Sequence, residues 1–180
     1  MKRWWIVGIV WSALLWGAMG IEQEFFQAIG TQDMGKARQI AQKGCEKGNL
    51  FGCAMLGSFY EEGLGGLPKD HAQALELYRK ACDGGEMRGC TNLGNLYADG
   101  KGVTRNFSEA KRYYTMSCDK NEAGGCFGLG MLYARGNGVK KNLYRAYKLF
   151  QKACYNGMPL GCEMVKRMSA TGAKTSEKTE

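Results

Sequence analysis

The sequence predicts an all-α protein, an α/α solenoid of helical hairpins in which a local disulfide closes each hairpin. A pair of cysteines eight positions apart occurs four times in the 180-residue chain, and successive pairs are offset by 37, 36 and 36 residues. Self-similarity at a period of roughly 20 to 50 residues is typical of repeat architectures. The apolar residues around each pair also recur at helical spacing. Together these observations predict stacked pairs of helices.

The first twenty residues have the composition of a secretory signal peptide. Lys2 and Arg3 precede an apolar run from Trp4 to Trp16, and small residues follow up to Gly20. This order of basic, apolar and small residues predicts cleavage after Gly20. An uncleaved membrane anchor is the alternative, although the run is short for a spanning helix. We expect an exported bacterial protein, periplasmic or secreted, that is not stably inserted in a membrane after cleavage.

Composition narrows the classes of partner and cofactor. The formal net charge of +8 is moderate. Nucleic acid is a poor partner for an exported protein, so the basic excess is interpreted as a solvated or anion-facing surface. In an oxidising compartment, eight cysteines favour disulfides over metal ligands. His71 is the only histidine in the sequence, which leaves no Cys/His pattern for zinc. The sequence therefore predicts no metal and no cofactor.

The first helix of each repeat ends at the first cysteine of a pair. In the second repeat Ala74, Tyr78 and Cys82 lie on one helical face, and the other repeats keep this spacing. Gln73 and Glu109 stand three residues after two of the expected N-caps, which predicts capping boxes. The residues expected to cap these helices are Asp33, Asp70, Asn106 and Asn142.

The second helix of each repeat begins near the second cysteine. Leu93, Gly94 and Tyr97 follow Cys90 on one helical face, and this pattern recurs. Glycine inside a helix costs about 1 kcal/mol relative to alanine, so we expect a neighbouring helix to approach it closely. In the last repeat Lys166 replaces this glycine, as a polar end cap requires. The glycines expected to end these helices in a left-handed conformation are Gly63, Gly100 and Gly136.

A turn inside each cysteine pair determines the expected disulfides. Glycine or asparagine, which enter the left-handed region most easily, stands three positions after each first cysteine. Residues eight apart on one continuous helix would be separated by about 12 Å, whereas a disulfide needs Cα atoms within about 7 Å. Equivalent cysteines of neighbouring repeats would lie about 16–20 Å apart. The predicted disulfides are Cys45–Cys53, Cys82–Cys90, Cys118–Cys126 and Cys154–Cys162.

The central repeat resembles a known family. The segment from Gly89 to Val103 reads G-C-x-x-L-G-x-L-Y-x-x-G-x-G-V, which is similar to the Sel1-like repeat, where alanine usually replaces cysteine. Cysteine pairs flanking seven residues resemble the Helicobacter cysteine-rich protein family. The resemblance covers nearly all of the predicted solenoid, residues 21–169. It implies a relation to tetratricopeptide repeats, penicillin binding and β-lactamase activity. Residues 170–180 are small, polar and charged, which predicts a disordered tail.

Two Ser-x-x-Lys motifs are candidates for the nucleophile and base of a serine β-lactamase. Ser108 and Lys111 lie at the start of the first helix in the third repeat, and Ser117 and Lys120 lie at its end. Both motifs also fit a structural role, because serine is common in a first helical turn and Ser117 occupies a small-residue core position. The sequence contains neither Ser-Asp-Asn nor Lys-Thr-Gly, so it offers no complete catalytic set.

A non-catalytic module that binds a peptide, glycan or protein partner is the alternative. The second helices of the repeats would line the concave side of the solenoid. Asparagines there can hydrogen-bond an extended peptide or a β-lactam or peptidoglycan-like ligand, and methionines adapt to apolar shapes. An ordinary exposed helix face would show the same pattern. The candidate binding residues are Met55, Ser58, Asn92, Asn95, Asp99, Met131 and Arg135.

Overall fold

A computed structural model describes residues 20–170, in which every regular element is a helix, as predicted. Residues 20–30 form helix α1. The later helices are α2 (Met34–Glu46), α3 (Leu50–Glu62), α4 (His71–Asp83), α5 (Met87–Asp99), α6 (Phe107–Asp119), α7 (Ala123–Arg135), α8 (Leu143–Tyr155) and α9 (Pro159–Ala170). The predicted signal peptide and tail lie outside the described residues, apart from Gly20 and Ala170 where the ranges meet. None of the helices in residues 20–170 is long and apolar enough to cross a membrane.

The helices form two layers of a solenoid. Helix α5 contacts both α3 and α7, and these three helices form the inner, concave layer. Helices α2, α4, α6 and α8 form the outer layer, and α4 and α6 each pack between two inner helices. Helix α1 is not among the helices predicted from the cysteine repeats. Its buried Phe25 and Ala28 join the core formed by α2 and α3, so the solenoid begins one helix before the first cysteine pair.

The predicted N-caps are confirmed, but the predicted capping boxes are wrong. The outer helices begin at caps whose side chains accept backbone N–H bonds, namely Asp33, Asp70, Asn106 and Asn142. In a capping box the backbone N–H of Asp70 would donate to Gln73. It donates instead to the carbonyl oxygen of Tyr60 at 2.8 Å. The N–H of Asn106 donates in the same way to Tyr97 at 2.8 Å. The preceding inner helix therefore supplies the acceptor.

Each outer helix is joined to the following helix by a disulfide, as the fold prediction required. The Cα–Cα distances are 4.4 to 4.6 Å for Cys45–Cys53, Cys82–Cys90, Cys118–Cys126 and Cys154–Cys162. The chain reverses between the cysteines at a residue with positive φ, which ranges from 63° at Asn121 to 98° at Gly85. The reversal brings together two cysteines that a continuous helix would keep apart.

Mild reduction is expected to open Cys154–Cys162 first. Both of its cysteines are partly exposed, whereas the six cysteines of the other disulfides are at most 5% exposed. Thiol–disulfide exchange requires access to a sulfur atom, so burial slows it. Limited reduction, alkylation and peptide mapping should therefore label Cys154 and Cys162 ahead of the others. Earlier labelling of the central pair would contradict this expectation.

Glycines in the inner helices allow aromatic rings of the outer helices to pack against the backbone, as predicted. A Cβ atom on Gly94 would lie 2.5 Å from a ring carbon of Tyr114. A Cβ on Gly130 would lie 2.7 Å from the Phe150 ring. A Cβ on Gly57 would likewise meet an aromatic ring of the outer helix beside it. Because a side chain would occupy the space of the ring, the recurrent glycine sets the spacing between the two layers.

Candidate functional site

The concave side carries a groove over α5 and α7. Two adjoining cavities of about 410 and 390 Å³ share Asn95, Phe127 and Gly128. Ser58, a predicted binding residue, lines neither cavity, and its hydroxyl donates to the carbonyl oxygen of Met55 at 2.7 Å. The predicted binding residues that do line the groove are Met55, Asn92, Asn95, Asp99, Met131 and Arg135. The structure thus brings six of the seven candidates together.

Tyr114 orients the central asparagine of the groove. Its ring lies beneath Gly94 and Gly128, and a Cβ on Gly128 would come within 2.7 Å of it. Burial raises the pKa of the Tyr114 hydroxyl, and the charge of Asp99 raises it further, so the hydroxyl stays protonated. It donates to Oδ1 of Asn95 at 2.8 Å. This bond engages the amide oxygen, while the N–H groups of the Asn95 amide donate no hydrogen bond within residues 20–170.

A second buried tyrosine lies one repeat earlier. The Tyr78 hydroxyl donates to Oε2 of Glu61 at 2.9 Å, and Glu61 in turn pairs with Lys101 at 3.0 Å. Burial is the largest cause that raises the pKa of Tyr78, followed by the charge of Glu61, while a hydrogen bond with Asn92 acts in the opposite direction. Asn92 is therefore next to this buried hydroxyl, as Asn95 is next to Tyr114.

The sequence analysis missed a polar cluster below the groove. The Thr91 hydroxyl donates to a carboxylate oxygen of Glu122 and lies 3.1 Å from the Ser117 hydroxyl. Glu122 also accepts from the backbone N–H of Gly125 at 2.6 Å as the N-cap of α7. Thr91 and Glu122 both line the groove. The available signal was threonine at a core position that is Ala54 in the preceding repeat.

The structure does not assemble the Ser-x-x-Lys candidates into a catalytic site. Ser117 is 0% exposed, and its hydroxyl donates to the carbonyl oxygen of Tyr113 at 3.1 Å, while Lys120 is exposed at the end of α6. Ser108 and Lys111 are exposed on the outer helix α6. None of the four residues lines either cavity of the concave groove. A nucleophile and its base would need to lie within hydrogen-bond reach of each other and of a substrate.

A comparison of the sequence with protein-family models identifies the family. The Sel1 repeat matches four consecutive segments, residues 15–49, 50–86, 88–122 and 123–158. The chain belongs to the Sel1 repeat family. The first match begins inside the predicted signal peptide and includes α1 and α2, so α1 takes the place of an inner helix in the first Sel1 repeat.

Solved structures of other Sel1 repeat proteins are similar to this chain. A Sel1 repeat protein from Oxalobacter formigenes has a TM-score of 0.74 and 25% identity over 81% of this chain and 58% of its own. The c5321 protective antigen of uropathogenic Escherichia coli has a TM-score of 0.69 and 25% identity over 88% of this chain and 35% of its own. Helicobacter pylori cysteine rich protein B (hcpB) has a TM-score of 0.57 and 34% identity over 73% of this chain and 94% of its own.

These matches confirm the resemblance to Sel1-like repeats and to the Helicobacter cysteine-rich proteins. This Sel1 chain spans just over half of the Oxalobacter protein and about a third of the Escherichia coli antigen, but nearly all of hcpB. A search of curated protein sequences gives no match. The comparisons therefore support a disulfide-rich Sel1 repeat protein as the class of this chain.

Proposed function

We propose that this Sel1 repeat protein is an exported, non-catalytic binding module whose concave groove holds an extended segment of a protein partner. The observation that carries the proposal is the groove over α5 and α7, with Asn95 at its centre. Solenoids use their concave surfaces to bind extended partners. An amide side chain matches the donors and acceptors of a peptide backbone, and Met55 and Met131 supply adaptable apolar contacts beside it.

Preorganisation of the groove supports this proposal. The Tyr114 hydroxyl holds Asn95 in one orientation, so binding does not have to order that side chain. Side chains that are ordered before binding lose less conformational entropy on association. The groove therefore offers a fixed hydrogen-bond donor beside methionines that can adjust to different apolar side chains.

Export is part of the same proposal. The four disulfides fit an oxidising compartment, where such bonds form and persist. The basic and apolar start of the sequence supports the same placement. An exported partner, or a segment of one, is the occupant that this location favours.

Alanine at Asn92 and Asn95 is expected to weaken binding of peptides selected on the groove. A random decapeptide library panned on the oxidised full-length protein supplies the probes. Since Asn95→Ala alone would leave the Tyr114 hydroxyl without its acceptor, the test variant also carries Tyr114→Phe. Loss of two hydrogen bonds of about 0.5–1.5 kcal/mol each predicts a dissociation constant roughly five- to 140-fold higher.

Isothermal titration measures the affinities in this experiment, and circular dichroism checks the fold. Tyr114→Phe alone reports the effect of the background substitution. Ser108→Ala with Lys111→Ala on the outer helix α6 is the matched surface control and should bind as tightly as wild type. Selected peptides that bind the triple variant as tightly as wild type would place the binding surface elsewhere.

Penicillin binding with β-lactamase activity is a second proposal, and it rests on the resemblance to the Helicobacter cysteine-rich proteins. The geometry of the serine candidates does not strengthen it. Ser117 is buried beneath Gly125, where a Cβ would come within 1.9 Å of the Ser117 hydroxyl oxygen. Ser108 lies on the outer helix, away from the concave groove. The binding-module proposal therefore has the support of the structure's geometry, and this one does not.

Ser108→Ala and Ser117→Ala are each expected to leave penicillin hydrolysis and covalent penicillin labelling unchanged. Alanine occupies the position of Ser117 in the sister repeats as Ala81 and Ala153, so the fold should tolerate that substitution. Hydrolysis is measured on oxidised protein beside a mock purification that reports contaminating enzyme. Loss of turnover or of labelling in one folded variant would identify that serine as the nucleophile.

A further inference from the structure

We infer that the concave groove selects an acidic peptide segment and presents Arg105 and Arg135 to its carboxylates. The inference rests on the proposed binding function and adds the chemistry of the partner. Some hydrogen-bonding and charged groups of the groove are engaged by other groups of the protein, and the remaining ones are available to a ligand.

The positive groups of the groove have no carboxylate partner among the residues that the structure describes. Arg88, Arg105 and Arg135 line the two cavities. Within residues 20–170 none of the three forms a salt bridge. The guanidinium of Arg88 lies 5.2 Å from the ring centroid of Phe51, and that of Arg105 lies 5.6 Å from that of Phe107. A guanidinium in a cation–π contact keeps N–H groups that can donate to an anion.

The negative groups of the groove are already engaged. The Glu122 carboxylate accepts from the Thr91 hydroxyl and the Gly125 N–H, and it caps the positive end of α7. The Asp99 carboxylate lies 3.6 Å from the Lys101 ammonium group. Lys101 is shared between Asp99 and Glu61, and Glu122 is held by neutral donors. Within residues 20–170, neither acidic residue of the groove forms an ion pair with one of its arginines.

Within residues 20–170, the side chains of the three arginines and the N–H groups of the Asn95 amide form no hydrogen bond with the protein's oxygen atoms, so they are donors left for a ligand. The amide oxygen of Asn95 accepts from Tyr114. Asn95 lines both cavities, while Arg105 and Arg135 line the second. A ligand that satisfies these groups must bring acceptors and negative charge, and bonds between guanidinium and carboxylate are among the strongest available. A backbone carbonyl at Asn95 with a carboxylate at the arginines meets both requirements.

Fluorescence anisotropy of four labelled decapeptides tests the inference on the oxidised full-length protein. Three have amidated ends and alternate valine with glutamate, glutamine or lysine, and the fourth is the glutamine peptide with a free terminal carboxylate. The glutamate peptide should bind at least about tenfold more tightly than its amidated glutamine counterpart, and salt should weaken it. If the fourth peptide binds as tightly as the glutamate peptide, a terminal carboxylate can also occupy the site. If it binds as weakly as the amidated glutamine peptide, the groove recognises side-chain carboxylates. Both results support the inference.

The double variant Arg105→Gln with Arg135→Gln should lose most of the preference for glutamate. Arg79→Gln with Lys111→Gln removes the same charge from the outer helices α4 and α6 and should retain it. Equal binding of the amidated glutamate and glutamine peptides, no binding of the glutamate peptide, or equal losses in the two double variants would overturn the inference. Library peptides that depend on Asn92 and Asn95 would still support the binding function in each of those cases.

Discussion

Reduction of all four disulfides is expected to destabilise the protein strongly. Each bond joins cysteines at a sequence separation of 8, and closing so short a loop contributes about 2–3 kcal/mol. The four together contribute about 10 kcal/mol, which is comparable to the total stability of about 5–15 kcal/mol typical of a domain. A solenoid also lacks contacts between distant repeats that could replace the lost constraint.

Thermal melting followed by far-ultraviolet circular dichroism measures this effect with and without a strong reductant. The melting temperature should fall by more than about 20 °C on full reduction. As a matched control, Cys154→Ala with Cys162→Ala removes only the terminal disulfide and should cost about 2–3 kcal/mol. A reduced protein that still melts cooperatively within a few degrees of the oxidised one would show that helix packing alone maintains the solenoid.

Gly94→Ala is expected to destabilise the protein, although alanine favours an isolated helix by about 1 kcal/mol. The new Cβ would lie 2.5 Å from the Tyr114 ring, which is 4% exposed and also packs against Gly128. Overpacking of this kind typically costs about 1–3 kcal/mol. Displacing the ring would also move the hydroxyl that orients Asn95, so binding to the groove should weaken as well.

Urea denaturation measures the free energy of unfolding for this variant and for a matched control. Gly35 lies in α2, and its added Cβ would have its nearest neighbour at 3.6 Å, an ordinary contact distance. Gly35→Ala should therefore leave stability unchanged or raise it, in contrast to Gly94→Ala. Equal effects of the two substitutions would show that the Tyr114 ring can move aside without cost.

Local rules predicted the helices well and failed where another helix competed. Asp70 caps α4 as its residue type suggests, and Gly100 ends α5 with a φ of 73°. The capping box at Gln73 does not form, because the carbonyl oxygen of Tyr60 on the preceding helix takes the N–H bond. Ser58 departs from the prediction for a local reason, because its hydroxyl bonds to a carbonyl of its own helix.

The sequence by itself determined the architecture and most of the groove. Its period, its helical faces and its cysteine spacing act over one repeat, and copies of the same local interactions build the whole solenoid. Only the tertiary structure decided which polar groups remain for a ligand. Asn95 is oriented by Tyr114, and Glu122 is engaged by Thr91, through contacts 19 and 31 residues apart. Such contacts join side chains of adjacent helices and repeats at hydrogen-bond distance, which depends on how the layers pack rather than on the spacing within a helix.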